Sequence, residues 1–254
     1  MNGHREMIYV AIYSPDGRRV LTTSQDGTAR LWAADNGAPA SPPLTHHGTI
    51  TAAAFSPDGR VAITGSHDHT ARLWRSEDGA PIGRPMNHQE AVVEVAFSPD
   101  GRTIATGGFD NTARLWDADG APRGIVLLHP GPVVALAFSP DGKTLLTGSY
   151  DGTARLWRVA DGSPIGPPLA HRGPVAAVAF SPDGRWILTG SHDGTARLWP
   201  APAVLAGEVR RLALWVTVLT GLELTADRNR ARALDSATWI DRRRQLDALG
   251  GPPS

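Results

Sequence analysis

Cysteine is absent from the 254 residues, which excludes disulfide bridges and thiolate metal sites. Lysine is nearly absent too: Lys143 is the only one, and the other basic side chains are arginine. Net charge is also missing, because 25 acidic groups balance 25 basic ones. No global field therefore draws in nucleic acid or an anionic membrane. No apolar run approaches membrane-spanning length. The segment from Met1 to Val10 has no apolar stretch behind basic residues, so no secretory signal is read. These absences point to a soluble, cytoplasmic protein with neither nucleic acid nor membrane as partner. The Arg bias, with abundant Ala, Gly and Pro, points to a GC-rich bacterial genome and has no bearing on chemistry.

Aromatic residues are scarce at 6%, yet the 8 Trp outnumber the 5 Phe and the 3 Tyr. Repetition accounts for this. Trp32, Trp74, Trp116, Trp157 and Trp199 each end a near-copy of one string, which reads SQDGTARLW, SHDHTARLW, GFDNTARLW, SYDGTARLW and SHDGTARLW. Upstream of each lies SPDG, beginning at Ser14, Ser56, Ser98, Ser139 and Ser181. One histidine precedes each SPDG: His4, His46, His88, His129 and His171. The 28 Gly and 21 Pro mark tight turns at fixed intervals. In the third copy the runs VVEVAFS, TIATGG, TARLW and GIVLL make four short strands between turn signals. In SPDG, Pro presets φ, Asp suits the next position, and Gly takes the φ > 0 position. One such sheet cannot bury both its apolar faces. Sheets arranged radially cover one another.

These strings resemble the WD-repeat family of β-propellers over about residues 3 to 200. The resemblance implies an all-β fold of five blades, either a closed ring or part of a larger propeller. The fifth blade is expected to have three strands or to be completed from elsewhere, because PAPAVL after Trp199 lacks the outer-strand pattern. The resemblance also implies a buried tetrad of His, Ser or Thr, Asp and Trp in each blade. Carried onto this chain, the tetrads are His4, Ser24, Asp26 and Trp32; His46, Ser66, Asp68 and Trp74; His129, Ser149, Asp151 and Trp157; and His171, Ser191, Asp193 and Trp199. The third holds His88, Asp110 and Trp116, with Gly108 in place of the hydroxyl, so it is expected to be broken. The dipeptide that names the family is complete only at Trp116-Asp117, because Ala33, Arg75, Arg158 and Pro200 follow the other tryptophans.

The His-Ser-Asp sets are the parts of a hydrolytic triad, but a catalytic set occurs once and this one recurs in every blade. Repetition marks a polar staple whose buried groups must each find a partner. No catalytic residue, metal site or cofactor is therefore assigned. His67 and His69 flank Asp68, which the staple already uses. Glu94 is the only acid in any innermost strand, and one carboxylate is weak ground for catalysis. The Arg of each TARLW lies on the Trp face by strand alternation, its stem covering apolar surface.

Function is sought where the copies differ. The position between the Ser and the Asp holds Gln25, His67, Phe109, Tyr150 and His192. Family geometry places it on the rim that carries the His loops. Two rings, two imidazoles and an amide there suit a protein or peptide partner. The expected function is a non-catalytic scaffold. Self-association through open blade faces is a further expectation.

Residues 1–200 form the expected propeller and 201–254 a helical tail. Apolar residues recur at helical spacing from Leu205 to about Leu222. A second helix starts near Ser236, its N-cap, and runs to Leu249, with Gly250 and Gly251 stopping it. Arg242, Arg243 and Arg244 form its solvated face. The strings LTGLEL and ALDSATWIDRRRQLDALGGPP resemble the tails of large planctomycete-type bacterial WD-repeat proteins, many of which carry a serine/threonine kinase domain. That resemblance implies the alternative of a regulatory module within a kinase-type protein. No kinase motif lies in this chain.

Overall fold

A computed structural model describes residues 3–202, 222–224, 231–233 and 235–248. The turns in it fall where the repeat places them. In the first SPDG, Ser14 Oγ donates to Asp16 Oδ1 at 2.6 Å, and the Gly17 N–H donates to the Ser14 carbonyl. Gly17 has φ +70°, a region that penalises a side chain. The second turn of each blade needs the same backbone twist. There His69 and Asn111 adopt φ of 68° and 65°, where the other blades carry glycine.

Between these turns run five antiparallel sheets. The first holds β1 (Ile8–Tyr13), β2 (Arg19–Ser24), β3 (Thr28–Ala33) and β4 (Leu44–Thr45). The second holds β5 (Ile50–Phe55), β6 (Val61–Ser66), β7 (Thr70–Arg75) and β8 (Pro81–Asn87). The third holds β9 (Val92–Phe97), β10 (Thr103–Gly108), β11 (Thr112–Asp117) and β12 (Pro122–Leu128). The fourth holds β13 (Val133–Phe138), β14 (Thr144–Ser149), β15 (Thr153–Arg158) and β16 (Leu169–Ala170). The fifth has three strands, β17 (Val175–Phe180), β18 (Trp186–Ser191) and β19 (Ala196–Pro200). All regular structure between residues 8 and 199 is strand.

The outer strands show how proline sets strand length. Pro42-Pro43 and Pro167-Pro168 remove consecutive donors, and β4 and β16 shrink to two residues each. With the single Pro85 in place of the proline pair, β8 keeps seven residues.

The cores lie between blades. Leu21, Leu31 and Leu44 of blade 1 pack with Ile50, Ala62 and Trp74 of blade 2. Leu146 and Leu156 of blade 4 pack likewise with Val175 and Ile187 of blade 5. Each innermost strand thus lies against the next, from β1 through β17, and no packing of that extent joins β17 back to β1 among the described residues. The five blades form an open arc.

The chain divides into two compact units, Met1–Ala201 and Pro202–Ser254. In the second, β20 (Leu222–Leu224) pairs with β21 (Ala231–Ala233), and a helix spans Ser236–Ala248. The helix expected from Leu205 lies outside the described residues, apart from Leu222, which begins β20. The cap of the last helix is Asp235 rather than Ser236. Its Oδ1 accepts the Thr238 N–H at 2.8 Å, as an N-cap carboxylate does. Arg243 and Arg244 are exposed on this helix. Among the described residues no helix is long and apolar enough to cross a membrane.

Candidate functional site

Strand alternation sends a threonine of the second strand and a tryptophan of the third toward the same buried point in each blade, where a histidine from the loop before the first strand meets them. In blade 2 the Trp74 indole N–H donates to Thr64 Oγ1 at 2.8 Å. Thr64 Oγ1 lies 2.8 Å from His46 Nε2, and His46 Nδ1 lies 2.9 Å from Asp68 Oδ2. The carboxylate accepts at Nδ1, so Nδ1 carries the proton and Nε2 accepts from the threonine hydroxyl. Every group in the chain has a partner: indole to hydroxyl, hydroxyl to imidazole, imidazole to carboxylate.

The same chain recurs in all five blades. Thr22, Thr106, Thr147 and Thr189 take the place of Thr64, each at 2.7 Å from its histidine. Each accepts its indole N–H at 2.8 or 2.9 Å. This corrects the expectation that Ser24, Ser66, Ser149 and Ser191 supply the hydroxyl. Those serines lie two residues further along the strand. Ser66 Oγ donates to the Gly48 carbonyl and accepts the Asp68 N–H, closing the loop instead of joining the staple. Ser24, Ser149 and Ser191 make the equivalent pair of bonds. The third tetrad is likewise complete, because Thr106 carries it and Gly108 removes only the pair of loop bonds. The signal was in the sequence: a threonine stands at this position in all five copies, whereas the serine fails in one.

The carboxylates are held ionised. Burial alone would raise the pKa of Asp68. Bonds from Thr70, the His47 N–H and His46 more than reverse this and hold it at about 2. Asp26 and Asp110 are depressed further against the same burial, and Asp193 by bonds from Thr195 and the Arg172 N–H. Burial favours neutral imidazole at His46 and His129, only partly offset by Asp68 and Asp151. A neutral histidine locked between threonine and an aspartate that accepts every bond it can is a structural joint. Sequence reasoning missed one further partner, the TARLW arginine. Arg114 NH2 lies 3.2 Å from Asp110, and Arg72, Arg155 and Arg197 lie 3.7 Å from theirs.

The variable position is fixed by backbone. The N–H groups of Gln25, His67, Phe109, Tyr150 and His192 donate to the carbonyls of Met7, Thr49, Ala91, Pro132 and Pro174. Each acceptor immediately precedes an innermost strand, so the five side chains stand round one end of the arc. Four of them form a continuous row. Ring centroids are 6.5 Å apart from His67 to Phe109, 6.5 Å from Phe109 to Tyr150, and 6.0 Å from Tyr150 to His192. All are exposed, Phe109 by 43% and Tyr150 by 45%. Gln25 is exposed at the blade 1 position.

Glu94, on β9 opposite Gly107, is a separate case. Burial pushes its carboxyl up to about 7. No group of three or more potential ligands for a metal ion occurs among the described residues.

A family model described as the first beta-propeller of IFT122 matches residues 1–218. No curated protein matches the chain in sequence. Many solved structures share the fold. One, the crystal structure of the computationally designed Ika8 protein, superposes with a TM-score of 0.71 at 25% identity. The match covers 78% of this chain and 60% of the design, so the chain spans well under two thirds of that protein's length. With five copies of one stapled blade and a family model that matches most of its length, the chain belongs to the WD-repeat β-propeller family, within the group of the IFT122 first beta-propeller.

Proposed function

We propose that the protein is a non-catalytic scaffold that holds a protein or peptide partner on the rim bearing Gln25, His67, Phe109, Tyr150 and His192. The observation that carries this reading is the unbroken row of exposed rings from His67 to His192. Exposed aromatic side chains offer large contact area at little conformational cost, and the flanking imidazoles add polar contacts. The row crosses four blades, so its spacing is set by the sheets rather than by a flexible loop. Repetition of the His-Thr-Asp-Trp set argues against chemistry there, since each set is saturated by its own members.

Selection of a displayed random-peptide library on the intact chain tests this reading. The expected result is enrichment on the wild type that is lost with Phe109→Ala/Tyr150→Ala. Both side chains are exposed, so the double variant keeps its thermal midpoint. Equal enrichment on both proteins would place the binding surface elsewhere.

A further inference from the structure

We infer that the outward face of blade 5 is a socket for blade 1 of a second copy of this chain, giving head-to-tail association. The four junctions inside the arc serve as the template. At each, a blade's outward face buries one residue of its second strand and one of its third. These are Leu21 and Leu31, Ile63 and Leu73, Ala105 and Leu115, and Leu146 and Leu156, none more than 4% exposed. The same positions in blade 5 are Leu188 and Leu198, exposed by 47% and 62%. Trp186 beside them is exposed as well.

The vacant contacts have specific shapes. A Cβ on Gly65 or Gly148 would meet a valine methyl of the next blade's innermost strand, and one on Gly107 the Val133 carbonyl. At Gly190, the blade 5 equivalent, it would meet only Ala177 of its own blade. A Cβ on Gly27 or Gly152 would lie against the carbonyls of the next blade's His-x-Gly loop, and on Gly194 it meets nothing within 4 Å among the described residues. The Gly27 and Gly152 carbonyls also accept the N–H of His46 and His171. No described residue donates to the Gly194 carbonyl.

Blade 1 carries the other half of this junction. Ile8 and Tyr13 are 50% and 69% exposed, where Ile50, Val92, Val133 and Val175 at the position of Ile8 are fully buried. At the SPDG turns, Pro15, Pro57, Pro99 and Pro140 lie 3.5 to 3.7 Å from the Cβ positions of Gly59, Gly101, Gly142 and Gly184 of the following blade. Gly17 has no such neighbour among the described residues. Transferring the interior geometry puts the incoming Gly17 against Pro182, Ile8 and Tyr13 over Leu188 and Leu198, and the His4 N–H on the Gly194 carbonyl. Val20 and Trp32 of blade 1 are already buried. Inside the arc the equivalent Trp74 shares a core cluster with Leu44 of the preceding outer strand, and no such strand follows β19 among the described residues. The interface is heterologous: each copy offers one of each face, so association propagates head to tail, ending in a ring where the rotation closes and running on as a filament where it does not.

Sedimentation velocity on the full chain over a concentration series tests the inference. The wild type is expected to gain mass with concentration. Leu198→Arg and Tyr13→Arg, each blocking one face, are expected to stay monomeric alone and to form a single dimer when mixed in equal amounts. Circular dichroism confirms that each variant is folded, and Trp186→Glu with Ile8→Lys provides a second pair on the same two faces. A wild type that is monomeric at every concentration, a single variant that still associates, or a mixture that does not dimerise would overturn it. Phe109→Ala leaves the association unchanged, which separates this surface from the rim.

Discussion

Thr64 Oγ1 stands 2.8 Å from the indole nitrogen of Trp74, ten residues away and fully inside blade 2. That hydroxyl also serves His46, so its loss strands two buried groups at once. Thr64→Val keeps the shape of the side chain and removes both bonds. The cost is expected at about 2–4 kcal/mol, summing the penalties for two unsatisfied polar groups. Ser66→Ala, two residues on, removes the two loop bonds of that hydroxyl and leaves the staple intact, and is expected to cost about 1–2 kcal/mol. Urea midpoints for the two variants check this, and a larger loss for Ser66→Ala would restore the serine to the staple.

The third blade carries a glycine where the others have that serine, and a side chain there would be crowded. A Cβ on Gly108 would lie 2.9 Å from His88 Nδ1 and 3.0 Å from the Ala91 carbonyl. Both neighbours are held in place, one by Asp110 and the other by the Phe109 N–H. Gly108→Ser is therefore expected to destabilise the protein by about 1–3 kcal/mol through overpacking. A variant with a higher thermal midpoint than the wild type would contradict this.

Glu94 gives the protein a pH dependence opposite in sign to that of the staples. Burial raises its folded pKa to about 7, above the 4.5 usual for a glutamate. Its contribution is thus fully present below about 4.5 and is lost as pH rises through 7. His46 and His129 have lowered pKa values, so their contribution is lost as pH falls below the free imidazole range. The two slopes oppose each other in the wild type. Glu94→Gln removes one of them. The stability difference between Glu94→Gln and wild type is expected to grow from pH 4.5 to 7, by up to about 3 kcal/mol. A difference that is flat with pH in denaturant titrations would show that Glu94 is solvated.

The fold was legible in the sequence because each blade repeats both its turns and its tryptophan. Five near-identical strings leave few alternatives to five sheets. Strand lengths in the outer layer were less visible, since they depend on whether a proline pair such as Pro42-Pro43 interrupts the ladder. The staple was half legible. His, Asp and Trp were each unique at their spacing, but Thr and Ser stand two residues apart on one strand face and both end in a hydroxyl. The geometry separates their roles, and the sequence carried one hint, since the threonine stands in all five copies and the serine in four. The Arg–Asp pairs escaped notice because strand alternation gives a side, not a reach. The ring row was legible as five variable residues. Its continuity from His67 to His192 depends on how the blades are set side by side, which no single repeat encodes.

Blade 5 is expected to open first. In a repeat array, stability comes from intrinsic terms and from interfaces with neighbours, and an end unit has one interface fewer. Among the described residues blade 5 also has no outer strand, which leaves β19 at the edge of its sheet with backbone groups unpaired along one side. Its residues alternate between exposed and half-buried, whereas β15, the equivalent strand in blade 4, alternates between buried and half-buried until Trp157 and then Arg158 end it. Local opening free energy follows buried apolar contact. Native-state hydrogen exchange should therefore rank the amides of Ala196, Arg197, Leu198 and Trp199 below those of Thr112–Asp117 by several kcal/mol, with β8 and β12 between them. Raising the protein concentration separates two origins of any protection seen in β19. If a second copy fills the socket, β19 exchange slows as concentration rises. If the blade is rigid by itself, exchange is slow and independent of concentration. Protection in β19 equal to that of β11 in dilute solution would refute an open fifth blade.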